Sequence, residues 1–85
     1  MPQKRILIVE DEAAMRDTLV ALLEHDGHAT TATENAQDAL IRLQQDPDYD
    51  LVLTDIIMPG SDGLSLLDDI SLDYPAIPVV ICTAI

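Results

Sequence analysis

The side chains of this chain that can do chemistry are almost all carboxylates, and two stretches place them unusually. In LVLTDIIMPGSDG, residues 51 to 63, Asp55 follows directly on an apolar run, and Met58, Pro59, Gly60, Asp62 and Gly63 come after it. Near the amino terminus a second apolar run, Ile6 to Val9, opens into Glu10, Asp11 and Glu12. Solvation of a helix face does not explain a carboxylate at the end of a buried strand. If the two strands are neighbours, three or four carboxylates meet at one edge, where their repulsion either raises their pKa values or recruits a cation. An oxygen-only donor set suits a hard ion. Mg²⁺ is the natural candidate because it takes one or two carboxylates, keeps waters and leaves room for phosphate oxygens. A main-chain carbonyl just after Asp55, such as that of Ile57, completes such a set. Asp11 and Glu12 also suit a helix first turn, where the macrodipole favours acids.

Other candidates are weaker. Thr83 ends a later apolar run, so its hydroxyl can donate to an anion at the same edge, or it is an ordinary β-branched strand residue. Asp62, just before Gly63 and a helical pattern, reads as a cap. Pro59 and Gly60 shape the loop carrying Asp55. His25 and His28 flank a helix stop, where they are expected at the surface, without any metal-ligand spacing. Ser61 and Ser65 have no paired base, so no acyl-transfer triad is visible. The stretch VEDEAAM after the first strand lacks the glycines with which nucleotide-binding domains approach phosphates. Any phosphate at this edge is therefore held through a cation.

The elements that position these residues are legible from periodicity. Ile6 to Val9 has the continuous apolar pattern of a strand buried on both faces. Met15, Leu19, Leu22 and Leu23 form a helical stripe that Gly27 can stop. HATTAT predicts a second strand, and Asn35 is a candidate cap for a helix carrying Ala36, Ala39, Leu40 and Leu43, broken at Pro47. Leu51 to Thr54 predicts the third strand, Leu64, Leu67 and Ile70 the third helix, and Val79 to Cys82 the fourth strand. Strands alternating with helices imply right-handed crossovers and a parallel α/β sheet, with ligands beyond the strands' carboxyl ends.

Composition bounds the partners. The 85 residues carry a net charge of -12, with four Lys plus Arg against sixteen acids. Nucleic acid and anionic membranes repel such a chain, which points to a protein partner, a cation or both. At 48% hydrophobic residues a globular core is available, though a chain this short buries only somewhat over ~60% of its unfolded surface. Cys82 is the single cysteine and reads as a core thiol in a reduced compartment. Without a signal-peptide pattern or a membrane-length apolar run, a cytoplasmic location is expected.

ILIVEDEAAMRDTL, DLVLTDIIMPGSDGLSLL and IPVVICTA together resemble, in order and spacing, the signature segments of bacterial response regulator receiver domains. The resemblance implies a flavodoxin-like receiver fold with strand order 2-1-3-4, and makes residues 1–85 the amino-terminal part of such a domain. It implies that Asp55 accepts a phosphoryl group from a sensor histidine kinase or phosphotransfer protein. It further implies that Asp11 binds Mg²⁺ directly and Glu10 directly or through water, that Thr83 hydrogen-bonds the phosphoryl group and moves with it, and that Ala84 leaves room for that group. The module is then not a turnover enzyme on an external substrate. A related phosphatase class pairs its nucleophile with a second acid two residues on, where this chain has Ile57. A complete receiver continues with a helix, a strand and a helix, and supplies a lysine and an aromatic switch residue. Here the only lysine is Lys4, and neither Tyr49 nor Tyr74 stands at the switch position. With the fourth strand exposed as an edge, a homodimer or higher oligomer is expected. The alternative function is an oligomerising fragment whose phosphorylation site is vestigial.

Overall fold

The computed structural model describes residues 3–55, 57–58 and 61–82, and for residues 55, 57, 58, 61–67 and 82 it describes the backbone alone. The elements run β1 (Arg5–Val9), α1 (Ala13–His25), β2 (Ala29–Thr33), α2 (Ala36–Gln45), β3 (Leu51–Asp55), β4 (Ile57–Met58), β5 (Ser61–Asp62), α3 (Gly63–Asp73) and β6 (Val79–Cys82). The main sheet is parallel in the order β2-β1-β3-β6. This is the expected 2-1-3-4 arrangement, with β6 as the fourth strand of the sheet.

Sequence chemistry accounts for where the elements begin and end. Asn35 caps α2: its side chain accepts the Asp38 N–H at 2.8 Å. Gly27, at φ 90°, supplies the left-handed turn that ends α1, and the His28 N–H reaches back to the Leu23 carbonyl at 3.1 Å. α2 stops at Gln45, two residues before Pro47.

The apolar runs sort by the two-residue period of strands. On one face Leu7, Val9 and Val52 pack with Ala39 and Leu43 of α2, Ile70 of α3, Tyr49 and Ile77 into one core. On the other face lie Ile6 and Ile8, fully buried, in register with Leu51 and Leu53, which are half-buried. Val80, level with Leu53, remains 45% exposed. α1 lies mainly against β2 and β1, while α2 packs on β1, β2 and α3. The predicted stripe of α1 is only partly realised. Met15, Leu19 and Leu23 are half-buried, but Leu22 is 60% exposed and no residue of α1 is fully buried. A helix resting on a sheet buries a narrower stripe than one enclosed between neighbours, and Leu22 falls outside it.

At the amino-terminal end of the sheet Arg5 organises the α2–β3 connection. Its guanidinium donates to the Asp46 carboxylate at 3.0 Å and to the Asp48 carbonyl at 2.6 Å, and it stacks 4.7 Å from the Tyr49 ring centroid. The Asp50 carboxylate accepts the Arg5 backbone N–H at 2.8 Å. The hydrogen bond to Asp46 raises the Arg5 pKa, and the same bond lowers that of Asp46.

Two sequence expectations meet new detail here. The stretch after Asp55, expected as a plain loop, contains a short antiparallel ladder, Ile57 opposite Asp62 and Met58 opposite Ser61. His28, expected at the surface, is half-buried, and its Nδ1 accepts the Lys4 N–H at 3.2 Å. Pro59 and Gly60, and the side chains of Leu64, Leu67 and Cys82, lie outside the description.

Candidate functional site

Register brings the acids together. The last pairs of the β1–β3 ladder are Ile8 with Leu53 and Val9 with Thr54. One step further, Glu10 and Asp55 leave their strands at the same level of the carboxyl edge, with Asp11 next along the chain. On the other side Asp55 pairs with Cys82 of β6, so Asp55 is central in the sheet.

Glu10 is held from several directions. It is 5% exposed, its N–H donates to the Thr33 carbonyl at 3.0 Å, and its own carbonyl accepts from the Arg16 guanidinium at 2.9 Å. Its carboxylate Oε1 accepts the Glu12 N–H at 3.1 Å. Glu12 is the N-cap of α1, yet its side chain makes no capping bond. The N–H of this N-cap residue is satisfied by Glu10 from outside, and neither Asp11 nor Glu12 lies in the first turn of α1, where the macrodipole reading put them. Asp11 is exposed at the turn. Thr33, buried beside them, donates its hydroxyl to the Ile8 carbonyl at 2.7 Å and ties β2 to the end of β1.

The donor chemistry fits a hard cation: a buried carboxylate, an exposed one beside it and a third residue of the same type level with the first. Among the described residues no three His, Cys, Asp or Glu side chains are grouped to hold a metal, and the Asp55 side chain is not among them. Ile57, whose carbonyl is the fourth candidate donor, stands in β4 two residues after Asp55. Thr83 and Ala84 lie outside the described residues, and of Asp62 only the backbone is described, immediately before α3. Arg16 and Thr33 had no motif to mark them. Their contribution comes through main-chain carbonyls, which residue spacing does not reveal. Both also line an open polar groove of about 600 Å³ with Glu34, Asp38 and Arg42. Among the described residues no helix is long and apolar enough to cross a membrane.

Known proteins resemble this chain in sequence and fold. The family model for the response regulator receiver domain matches residues 6–85. Response regulator protein FleR of Pseudomonas aeruginosa is 40% identical over 80 residues, covering 94% of this chain and 17% of the relative. Receiver protein CpdR of Brucella abortus is 48% identical over 63 residues, covering 74% of this chain and 52% of CpdR. The chain thus spans only part of the length of its relatives. Among solved structures, the response regulator TrrA of Thermotoga maritima, in complex with Mg²⁺ and BeF, superposes with a TM-score of 0.91 at 35% identity, over 98% of this chain and 71% of TrrA. A structure of TrrA in complex with the histidine kinase ThkA also matches, with a TM-score of 0.88. With its strand order, the acidic edge at the strands' carboxyl ends and a family match over nearly its whole length, the chain belongs to the response regulator receiver domains of two-component signalling systems.

Proposed function

We propose that Asp55 is the phosphoacceptor of this module, and that Glu10, Asp11, Asp55 and the main-chain carbonyl of Ile57 hold Mg²⁺ beside it. The observation that carries the reading is the register placing Asp55 level with the buried Glu10 at the carboxyl edge. The donor is a phosphohistidine on a sensor kinase or phosphotransfer protein, as the ThkA complex of TrrA supports. A carboxylate oxygen of Asp55 attacks phosphorus, the bond from phosphorus to the histidine nitrogen breaks, and the imidazole takes the electron pair. When bound, the cation would offset the negative charge on the phosphoryl oxygens. Thr83 donates a hydrogen bond to the phosphoryl group and Ala84 leaves it space. In the reverse phase water attacks phosphorus and the bond to Asp55 breaks, releasing phosphate. The module acts on its own phosphoryl group and turns over no external substrate, and its place of action is the cytoplasm. Neither nucleic acid nor membrane is a partner of this segment, given its net charge of -12.

The test is intact mass after incubation with a small acyl-phosphate donor, with and without Mg²⁺. A Mg²⁺-dependent phosphoryl adduct, absent from Asp55→Asn, is expected. An adduct that persists in Asp55→Asn, or none on folded protein, overturns the assignment.

A second reading rests on a specific observation: Leu22, Leu72 and Val80 are 60%, 80% and 45% exposed, and Leu51 and Leu53 only half-covered. Apolar surface of this kind favours association into a homodimer or higher oligomer. Sedimentation of the same samples across concentration separates an associating chain with a vestigial site from a phosphorylated module.

A further inference from the structure

We infer that Arg16 is the positioning residue of the acidic edge, fixing the turn that carries Glu10 and Asp11 in the shape a divalent cation requires. This rests on the metal reading proposed above. Of the three arginines, Arg5 is committed to Asp46 and Asp48 at the opposite end of the sheet. Arg42 lies exposed on α2. Arg16 is half-buried in the second turn of α1, and its guanidinium is spent on a main-chain carbonyl, that of Glu10, at 2.9 Å. Among the described residues no carboxylate lies within ion-pair distance of it.

The placement has a mechanical consequence. Glu10 is anchored to β2 through the Thr33 carbonyl and to the start of α1 through the Glu12 amide. The bond from Arg16, six residues on, adds a brace from within α1, and the Arg16 N–H itself closes the first turn on the Glu12 carbonyl at 2.9 Å. Without that brace the carbonyl of Glu10 turns to solvent, and both carboxylates gain freedom that the ion must then remove. An electrostatic role has the opposite sign. A fixed positive charge beside carboxylates competes with a cation, so deleting it for charge reasons alone tightens Mg²⁺ binding.

The experiment measures Mg²⁺ affinity by calorimetry, and amide exchange of Glu10 and Glu12 without Mg²⁺, on the unmodified chain, Arg16→Ala, Arg16→Lys, Arg42→Ala and Asp11→Asn. Arg16→Ala is expected to weaken Mg²⁺ binding about 10-fold, the lower end of the range for partners that orient metal ligands, and to speed exchange of the Glu12 amide. Arg16→Lys, which keeps the charge and one donor, recovers part of both. Arg42→Ala removes the same charge without touching the turn, and leaves the exchange unchanged. Unchanged or tighter Mg²⁺ binding in Arg16→Ala overturns the positioning role. If Arg16→Ala does not fold, the Arg16→Lys arm decides: affinity equal to that of the unmodified chain overturns it. Affinity equal in the unmodified chain and Asp11→Asn rejects the metal reading itself, a failure distinct from the first.

Discussion

At the scale of single residues, the acids divide by what holds them. Asp46 has a definite partner, and the Arg5 hydrogen bond, aided by the Asp48 N–H, lowers its pKa below the ordinary 3.8. A carboxyl whose folded pKa is depressed contributes stability above its unfolded value and loses it as pH falls through the folded one. The difference in urea stability between the unmodified chain and Asp46→Asn is therefore expected to be constant near neutrality. It should shrink only below the ordinary carboxylate range and vanish in strong acid. A difference that disappears near pH 6, well above the depressed pKa of Asp46, sinks the assignment. The pair is solvent-exposed, so the effect is small. Residue identity made Glu10, Asp11 and Asp55 legible in the sequence, because a carboxylate at the end of an apolar strand has few ordinary explanations. It could not show that Glu10, not Glu12, satisfies the start of α1, since that depends on which way the chain turns after Val9.

At the scale of elements, the two helices described in full behave differently. α2 presents Ala39 and Leu43 to the core, both fully buried, under a cap readable in Asn35. α1 has an equally clear apolar stripe, yet buries none of it completely. Periodicity reports that a helix has an apolar side, not how much sheet lies beneath it. Leu22 and Leu43 make the contrast measurable. Leu43→Ala is expected to cost about 2–5 kcal/mol through lost burial and the cavity left behind. Leu22→Gln is expected to change stability by no more than about 0.5 kcal/mol, as for exposed positions generally. Equal losses in urea titrations of the two would mean that Leu22 is covered in solution, which would point to association through α1. The β4–β5 ladder was illegible for another reason: strands of two residues carry no period, and Pro59 with Gly60 signals a turn without naming what it joins.

At the scale of the whole molecule, the alternation of strands and helices predicted a parallel sheet with right-handed crossovers, while the order 2-1-3-4 was implied only by the resemblance to receiver domains. Charge is the less obvious whole-molecule property. Sixteen acids against four bases share a body of 31 × 28 × 20 Å, and that repulsion is relieved by unfolding. The screening length is about 30 Å in 0.01 M salt and about 8 Å in 0.15 M. Repulsion thus spans the entire molecule in the first case and less than its shortest axis in the second. The Arg5–Asp46 contact at 3.0 Å is weakened far less by the same change, being much shorter than either length. Sodium chloride raised over this interval is therefore expected to increase the urea midpoint. Mg²⁺ at equal ionic strength should raise it further, through occupation of the acidic edge, and that extra increment should disappear in Asp11→Asn. A midpoint that falls with sodium chloride would show that local attractions outweigh the net charge. An increment that survives in Asp11→Asn would place the divalent ion in the diffuse atmosphere and not at the edge formed by Glu10, Asp11 and Asp55.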